Sequence, residues 1–309
     1  MALRTSETII CAKAESSYGV DATIAGSNAI LCRSIEITPL TGETVSRDLV
    51  RGYMGNYESF NTNTHVQITA EVELAASGAA GTAPAYSNLL LSCGTDLTTV
   101  SSTSNSYAPK ATSDSSTIYY FIDGNRHKIL GARGSFSINL AVSEIPTITF
   151  NMVGVYVAPG ASANLTPSYS NQATPVIPNK ANTTAFQLHT YAGAMQSFNF
   201  DLNNDVSYRE LIGGTKEVLF TDRKPSGSIT IEAPALGTKD FFAISEAGTL
   251  GNLTFQHGQT AGNKVTFTMT KTDLEAPSYS ADSGVGMLSM NYLATPTTAG
   301  NDEFTLKFH

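Results

Sequence analysis

The sequence predicts an all-β protein, and three observations support this class. Apolar and polar residues alternate along many segments, as in Val66–Leu74, where the even-numbered residues are apolar and the odd-numbered ones are polar. This period of two gives a strand one buried and one wet face, as in an antiparallel sheet. β-Branched and aromatic residues are concentrated in the same segments. Helical spacing is restricted to two short stretches.

The predicted strands follow one another along both halves of the chain. After Val66–Leu74, the alternating segments are, in chain order, Phe136–Val142, Ile148–Met152, Phe198–Leu202, Val265–Thr270 and Phe304–Phe308. Each carries apolar residues on one face and mostly Ser, Thr or Asn on the other. We therefore expect sheets with one face against a core and one face in water.

Two short helices interrupt the strands. In the first, apolar residues recur at helical spacing between Pro84, a residue type favoured in a first helical turn, and Gly94, a predicted C′ residue. The second is predicted from Thr238, as the N-cap, to Gly248.

Stretches without alternation divide the chain. Residues 159–184 are rich in Pro, Ala, Ser, Asn and Thr and predict a linker or an extended arm. This places a first module at residues 1–158 and a second at residues 185–309. The Ser-rich stretch Thr98–Thr117 predicts a long loop.

The two halves also resemble each other, with matched segments in the same order at an offset of about 160 residues. The matched pairs are Ser34–Ile37 with Ser197–Phe200, Val45–Gly52 with Val206–Gly214, Ile68–Glu71 with Ile229–Glu232, and Tyr156–Ala158 with Tyr292–Ala294. In each half a predicted helix is followed by Gly. We interpret the chain as a tandem duplication of one small β module that carries one short α-helix.

Composition argues against several classes of protein. Only 14% of the 309 residues are charged, and 18 Lys and Arg stand against 26 Asp and Glu, for a net charge of -8. A nucleic-acid binder that neutralises phosphates needs clustered basic residues. Cys11, Cys32 and Cys93 lack the paired spacings of zinc sites or disulfide frameworks, so we expect small buried hydrophobic residues. We see neither a signal peptide nor a membrane span.

No catalytic constellation is found in the sequence. There is no nucleophile elbow, no phosphate-binding P-loop, no H-E-x-x-H helix and no acidic calcium loop, and the five histidines are scattered. We therefore expect no enzyme activity, no metal site and no cofactor.

Carboxylates on the wet strand faces form the first candidate site. Glu71 and Glu73 share one strand face, Glu232 occupies the matching place in the second half, and Glu36 lies on another wet strand face. One interpretation is solubility or protection of a sheet edge. The other is an acidic wall that faces a polyanion without retaining it.

Charged residues in the predicted loops form the second candidate site. Arg47, Asp48 and Arg51 follow one predicted strand, and Arg209 and Glu210 follow its match. Mixed charges there suit either a solvated loop or contacts to another subunit. Because the pattern recurs in both halves, we favour the contacts.

Several longer segments resemble the tail tube proteins of phages with long, non-contractile tails. These segments are Tyr18–Thr23, Asn28–Ile30, Glu73–Gly94, Phe121–Gly124, Leu130–Gly134, Tyr279–Leu288 and Gly300–Phe304. Together they extend over nearly the whole chain, and their specificity lies in their length and order.

The resemblance implies a siphophage major tail tube subunit, a structural virion protein assembled in the host cytoplasm. Its stacked rings would conduct DNA into the host, and a chain with two modules would form trimers that mimic hexamers. Implied partners are further copies of the chain, the tail terminator and distal tail proteins, the tape measure protein in the lumen, and passing DNA, with no membrane. On this hypothesis Glu36, Glu71, Glu73 and Glu232 are our candidates for lumen-facing residues, and the two loops with the linker are our candidates for contacts between rings.

The residue types argue against two other functions. A carbohydrate-binding or adhesin-like β-sandwich would present exposed aromatic platforms, and the chain has no Trp. A hydrolase on a β scaffold would need a nucleophile paired with a base, which the motifs do not supply.

Overall fold

The prediction of an all-β protein is confirmed. Residues 3–309 are the part of the chain that the computed structural model describes, and they contain nineteen β-strands, two α-helices and one 3-10 helix at Gly26–Asn28. The strands of the first half and the linker are β1 (Thr8–Ala14), β2 (Ala29–Ile30), β3 (Cys32–Ser46), β4 (Ser59–Glu73), β5 (Thr95–Val100), β6 (Ser104–Pro109), β7 (Ser116–Ile122), β8 (Asn125–Ala141), β9 (Thr147–Tyr156) and β10 (Gly160–Ala161).

Nine strands follow in the second half of the chain. They are β11 (Thr183–Leu188), β12 (Met195–Asp201), β13 (Asn204–Arg209), β14 (Glu217–Arg223), β15 (Ser226–Glu232), β16 (Gly251–His257), β17 (Val265–Asp282), β18 (Val285–Ala294) and β19 (Thr305–Phe308). The alternating segments of the sequence lie in β4, β8, β9, β12, β17 and β19.

Both predicted helices are present, as α1 (Ser87–Ser92) and α2 (Phe241–Glu246). The predicted N-cap of the second helix, Thr238, is wrong. Asp240 fills this position, because its carboxylate accepts hydrogen bonds from the backbone N–H groups of Phe242 and Ala243, both at 3.0 Å.

The predicted loop at Thr98–Thr117 is also wrong, because this stretch contains the end of β5, all of β6 and the start of β7. The polar composition of this stretch does not indicate a strand, but β6 pairs with the C-terminal strand β19, which is far away in the sequence. Tyr107 of β6 is fully buried and donates a hydrogen bond to Ser87 Oγ at 2.6 Å. Pairing with a distant strand therefore outweighs local composition here.

Eight strands form one continuous antiparallel row in the order β3, β4, β9, β8, β12, β15, β18 and β17. The first four belong to the first half of the chain and the last four to the second. The two sets have the same internal order, because each consists of a strand, its antiparallel partner later in the chain, and then a later hairpin whose second strand comes first in the row. Strand pairing between β8 and β12 joins the sets.

Cross-strand register allows the matched segments of the two halves to be compared. Ile68 lies between Ile37 and Met152, and Ile229 lies between Phe198 and Met290. With Ile68 matched to Ile229, as in the sequence, Ile37 becomes the counterpart of Phe198, which differs by two residues from the match of Ser34–Ile37 with Ser197–Phe200. A shift of two residues leaves an alternating pattern unchanged, so composition alone could not fix this register.

The apolar face of the row packs against a second layer of strands. One part of this layer runs through β11, β16, the start of β17, β19, β6 and β5. The other consists of β2, β1, β7 and the start of β8. Phe200 lies between the layers, with ring centroids 4.9 Å from Phe267 and 5.0 Å from Phe304. The core is therefore shared by both halves of the chain.

A buried ion pair of the second half also contacts the first half. Arg223 of β14 donates to Glu303 Oε1 at 2.8 Å and to the carbonyl of Lys110 in the first half at 3.1 Å. Both charged side chains are largely shielded from water, with exposed fractions of 16% and 8%. Removing the arginine would leave Glu303 buried without its counter-charge.

We expect Arg223→Ala to lower the free energy of unfolding by about 3–5 kcal/mol, the usual cost of breaking a buried pair on one side. Chemical denaturation measures this value. The neighbouring exposed pair between Lys224 and Asp222 supplies the control, because Lys224→Ala should leave stability nearly unchanged. Equal effects of the two variants would contradict this assignment.

The stretch predicted as a linker, residues 159–184, lies along the first half. Gln172 exchanges two hydrogen bonds with the backbone of Leu31, at 2.9 and 2.7 Å. The backbone N–H of Ser168 donates to Gly26 O at 2.9 Å, and that of Ala173 donates to Ala76 O at the same distance. These contacts hold the stretch at several points along its length.

The three cysteines are free thiols. Cys11 and Cys93 are buried as expected, whereas Cys32 is half-buried. Burial raises the pKa of Cys11 and of Cys32 to about 12 and raises that of Cys93 as well. The thiols therefore remain protonated and poorly reactive near neutral pH.

Candidate functional site

The face of the eight-stranded row that points away from the core is mostly polar, with Val153, Val285, Met287 and Leu293 as apolar members, and we call it the polar face. Its paired positions are Ser34, Glu36 and Thr38 of β3; Gln67, Thr69, Glu71 and Glu73 of β4; Thr147, Thr149 and Asn151 of β9; Ser135, Ser137 and Asn139 of β8; Ser197, Asn199 and Asp201 of β12; Ser226, Ser228, Thr230 and Glu232 of β15; Met287, Ser289 and Asn291 of β18; and Asp273, Glu275, Ser278, Ser280 and Asp282 of β17.

Short polar side chains line up across the strands of the polar face. Thr69 donates to Asn151 Oδ1 at 2.9 Å, and the hydroxyls of Thr230 and Ser289 lie 3.0 Å apart. Asn139 of β8 is directly opposite Asn199 of β12, where the two halves meet. The face is thus a continuous wall of hydroxyl and amide groups that crosses from one half to the other.

All four carboxylates singled out from the sequence lie on the polar face. Glu71 and Glu73 lie on β4, Glu36 on the adjacent β3, and Glu232 on β15. Arg33, at a bulge of β3, lies 3.5 Å from Glu71 Oε1, and Arg133 of β8 pairs with Val153 in the row of Gln67. Carboxylates outnumber these two basic residues on the face. The face therefore carries an excess of negative charge.

Further carboxylates on this face were missed by the sequence reasoning. They are Asp201, Asp273, Glu275 and Asp282. Asp201 ends the alternating segment of β12 and could have been found by continuing the count of two. Asp273 and Glu275 lie beyond the predicted segment Val265–Thr270, and a bulge between Glu275 and Ser278 breaks the alternation before Asp282.

The charged loop residues lie in two hairpins, one formed by β3 and β4 and the other by β13 and β14. Each hairpin has an Arg–Glu pair at the base of its loop, Arg47 with Glu58 and Arg209 with Glu217. Asp48 accepts a hydrogen bond from Ser46 Oγ at 2.6 Å, and Glu210 lies 3.1 Å from Lys216 Nζ.

Arg51 is also engaged within its own loop. Its guanidinium lies 4.5 Å from the ring centroid of Tyr53 and 4.1 Å from that of Tyr57. The predicted contact residues are thus paired locally, and they shape the loops in which they lie.

Apolar side chains at the hairpin tips are the exposed groups, and the sequence reasoning missed them. Val50, Met54 and Ile212 are about as accessible as in an extended chain, with exposed fractions of 104%, 100% and 108%. Such residues in a loop are costly to expose unless a partner covers them. The matched Leu-Val and Leu-Ile pairs of the two halves were the signal that could have found Val50 and Ile212.

The histidines and carboxylates of the described residues do not form a metal site. Within residues 3–309 there is no group of three or more His, Cys, Asp or Glu side chains that could hold a metal ion. Burial lowers the pKa of His189 and of His257, and each contacts a backbone carbonyl, of Thr272 and Val176 respectively. Among the described helices, neither is long and apolar enough to cross a bilayer.

Comparison with known families decides what kind of protein has this polar wall and these hairpins. A family model described as phage tail tube protein matches residues 5–304. The chain belongs to the phage tail tube protein family. A search of curated proteins gives no match to this sequence.

Membership of this family assigns the chain to the virion tail as a structural component. Tail tube proteins assemble with copies of themselves and with other tail proteins into a tube.

Proposed function

We propose that the chain is the major tail tube subunit of a siphophage and that three copies close into a ring with pseudo-six-fold symmetry. The strand pairing between β8 and β12 carries this proposal. It joins the last strand of the first four-stranded set to the first strand of the second set. If the last strand of one subunit pairs in the same way with the first strand of the next subunit, the row of strands continues from subunit to subunit.

The two ends of the row are the strands that this contact would join. Within residues 3–309, β3 pairs with β4 alone, and Asp273–Asp282 of β17 pairs with β18 alone. β3 is the counterpart of β12, and β17 is the counterpart of β8. Pairing β17 of one subunit with β3 of the next removes both exposed edges, which would otherwise invite aggregation.

The strand count suits a tube that admits duplex DNA. Eight strands per chain give twenty-four in a trimer. At roughly 4.8 Å per strand the circumference is about 115 Å and the bore is roughly 35 Å between backbones. Tilting the strands relative to the tube axis widens the bore further.

In this arrangement the polar face lines the lumen, with Glu36, Glu71, Glu73 and Glu232 directed toward passing DNA. The net charge of -8 per chain becomes -24 per trimer. An acidic wall releases no counterions from DNA and repels it at short range. Conduction of the genome is then passive, and no reaction is proposed.

Ring stacking is assigned to the hairpin loops, with the linker as a further candidate. Arg47, Asp48 and Arg51 in the first loop, and Arg209 and Glu210 in the second, shape tips whose apolar residues meet the adjacent ring. Tail terminator and distal tail proteins would cap the ends, and the tape measure protein would occupy the lumen during assembly in the host cytoplasm.

Negative-stain microscopy of the purified chain, alone and co-expressed with the tail proteins of the same phage, tests the proposal. Rings or tubes with a central channel are expected. Featureless monomers under both conditions would contradict it.

A further inference from the structure

The second hairpin, formed by β13 and β14, is seated on the first half of the chain. Phe220 of β14 reaches the end of α1, where a β-carbon built on Gly94 would lie 3.1 Å from Phe220 Cε2. Asn204 Nδ2 donates to the carbonyls of Cys93 and Gly134 at 2.7 and 2.9 Å. Gly94 has a φ of +78°, which glycine tolerates without strain.

The first hairpin, formed by β3 and β4, has the same construction but no such seat. Val45 lies opposite Phe60, as Val206 lies opposite Phe220. The Arg–Glu pairs at the two loop bases also correspond. Phe60 nevertheless remains 57% exposed and Val45 53% exposed.

An equivalent seat exists at the end of α2. Gly248 follows α2 by the same interval as Gly94 follows α1, and it too has a positive φ, of +58°. No atom lies within 4 Å of a β-carbon built on Gly248. The surrounding segment, Ala247–Leu250, is exposed, with Leu250 at 44%. The second hairpin thus packs beside Gly94 within the chain. The first hairpin and the segment around Gly248 are both exposed.

We propose that Phe60 of one subunit packs against Ala247–Leu250 of the adjacent subunit in the same ring, beside Gly248. The inference rests on the proposed ring and adds the docking residue and its seat. This packing agrees with the proposed ring, because pairing of β17 with β3 of the next subunit brings the first hairpin of that subunit over the second half of its neighbour. Each subunit then contributes one hairpin and one seat.

Substitution of Phe60 tests the docking directly. Because Phe60 is exposed in the free chain, Phe60→Asp should keep the fold, which circular dichroism and thermal unfolding would verify. Sedimentation velocity should show that the variant needs more than about tenfold higher concentration to assemble than the unchanged protein. Val20→Asp is the control, since Val20 is equally exposed at 54% on the N-terminal loop and should assemble normally.

A cysteine pair distinguishes this docking from the proposed ring itself. Oxidised tubes of a Phe60→Cys, Ala247→Cys variant should give covalent trimers and nothing longer, because a ring of three closes on itself. Covalent ladders longer than three would place Phe60 against another ring and overturn the inference. Absence of cross-links together with normal assembly of Phe60→Asp would also overturn it while leaving the ring intact. Failure of the unchanged protein to form rings would instead contradict the proposed function.

Discussion

Assembled protein that carries Thr38→Cys together with a cysteine on β17 should become a covalently closed trimer on oxidation. Thr38 is the counterpart of Asn199, which lies opposite Asn139 where β12 pairs with β8. The counterpart of Asn139 in β17 is Asp282. Phe150 of β9 corresponds to Leu288 of β18, so their cross-strand partners Phe136 and Tyr279 also correspond. Asn139 and Asp282 each lie three residues after these partners. Directly opposed residues have Cβ atoms about 4.5–5.5 Å apart, within reach of a disulfide after small adjustments.

A short scan makes the register visible. Thr38→Cys is combined in turn with a cysteine at Ser278, Ser280 or Asp282, and trimer yield on a non-reducing gel should be highest at Asp282. The single variants control for the native thiols, which are poorly reactive because burial raises their pKa values. Absence of trimers from all three pairs in protein that forms tubes would contradict pairing of these edges.

Reversal of charge on the polar face should turn a passive wall into one that retains DNA. Glu36→Lys, Glu73→Lys and Glu232→Lys together add nine lysines to the lumen of each trimer. With six to ten phosphate contacts, DNA affinity falls by about 10³–10⁵ between 50 and 200 mM salt. We therefore expect tubes of this variant to hold short duplex DNA at 50 mM salt, protected from nuclease, and to release it at 200 mM.

The matched triple variant with Gln at the same three positions separates added attraction from lost repulsion. It should assemble and retain no DNA, because it supplies no cations to displace counterions. Binding by the Lys variant without nuclease protection would place the polar face on the outside of the tube and contradict the assignment of the lumen.

Much of the polar face could be predicted from the sequence, because successive side chains of a strand point alternately to its two faces. In Val66–Leu74 the alternation correctly assigned each side chain to the core or to water, and Glu71 and Glu73 followed directly. The Ser-rich stretch around Tyr107 could not be assigned in this way, since its partner is the C-terminal strand. Local composition carries no information about a pairing between residues so far apart.

Other features depend on which strands remain unpaired, and this is a property of the whole sheet. The free edges of β3 and β17, and the open seat beside Gly248, are visible only once every other pairing is known. The loop charges were noticed because charge is conspicuous in a chain with few charged residues. The exposure of Val50, Met54 and Ile212 could not be predicted, because an apolar residue is expected to be buried and only the folded structure shows that these three are not.

Cryo-electron microscopy of the assembled tube, at a resolution that separates strands, tests the central claim most directly. We expect three chains per ring and a closed inner barrel of twenty-four strands, with β17 of each subunit beside β3 of the next and Glu36 directed into the bore. Six chains per ring, or an inner wall formed by other strands, would contradict the account.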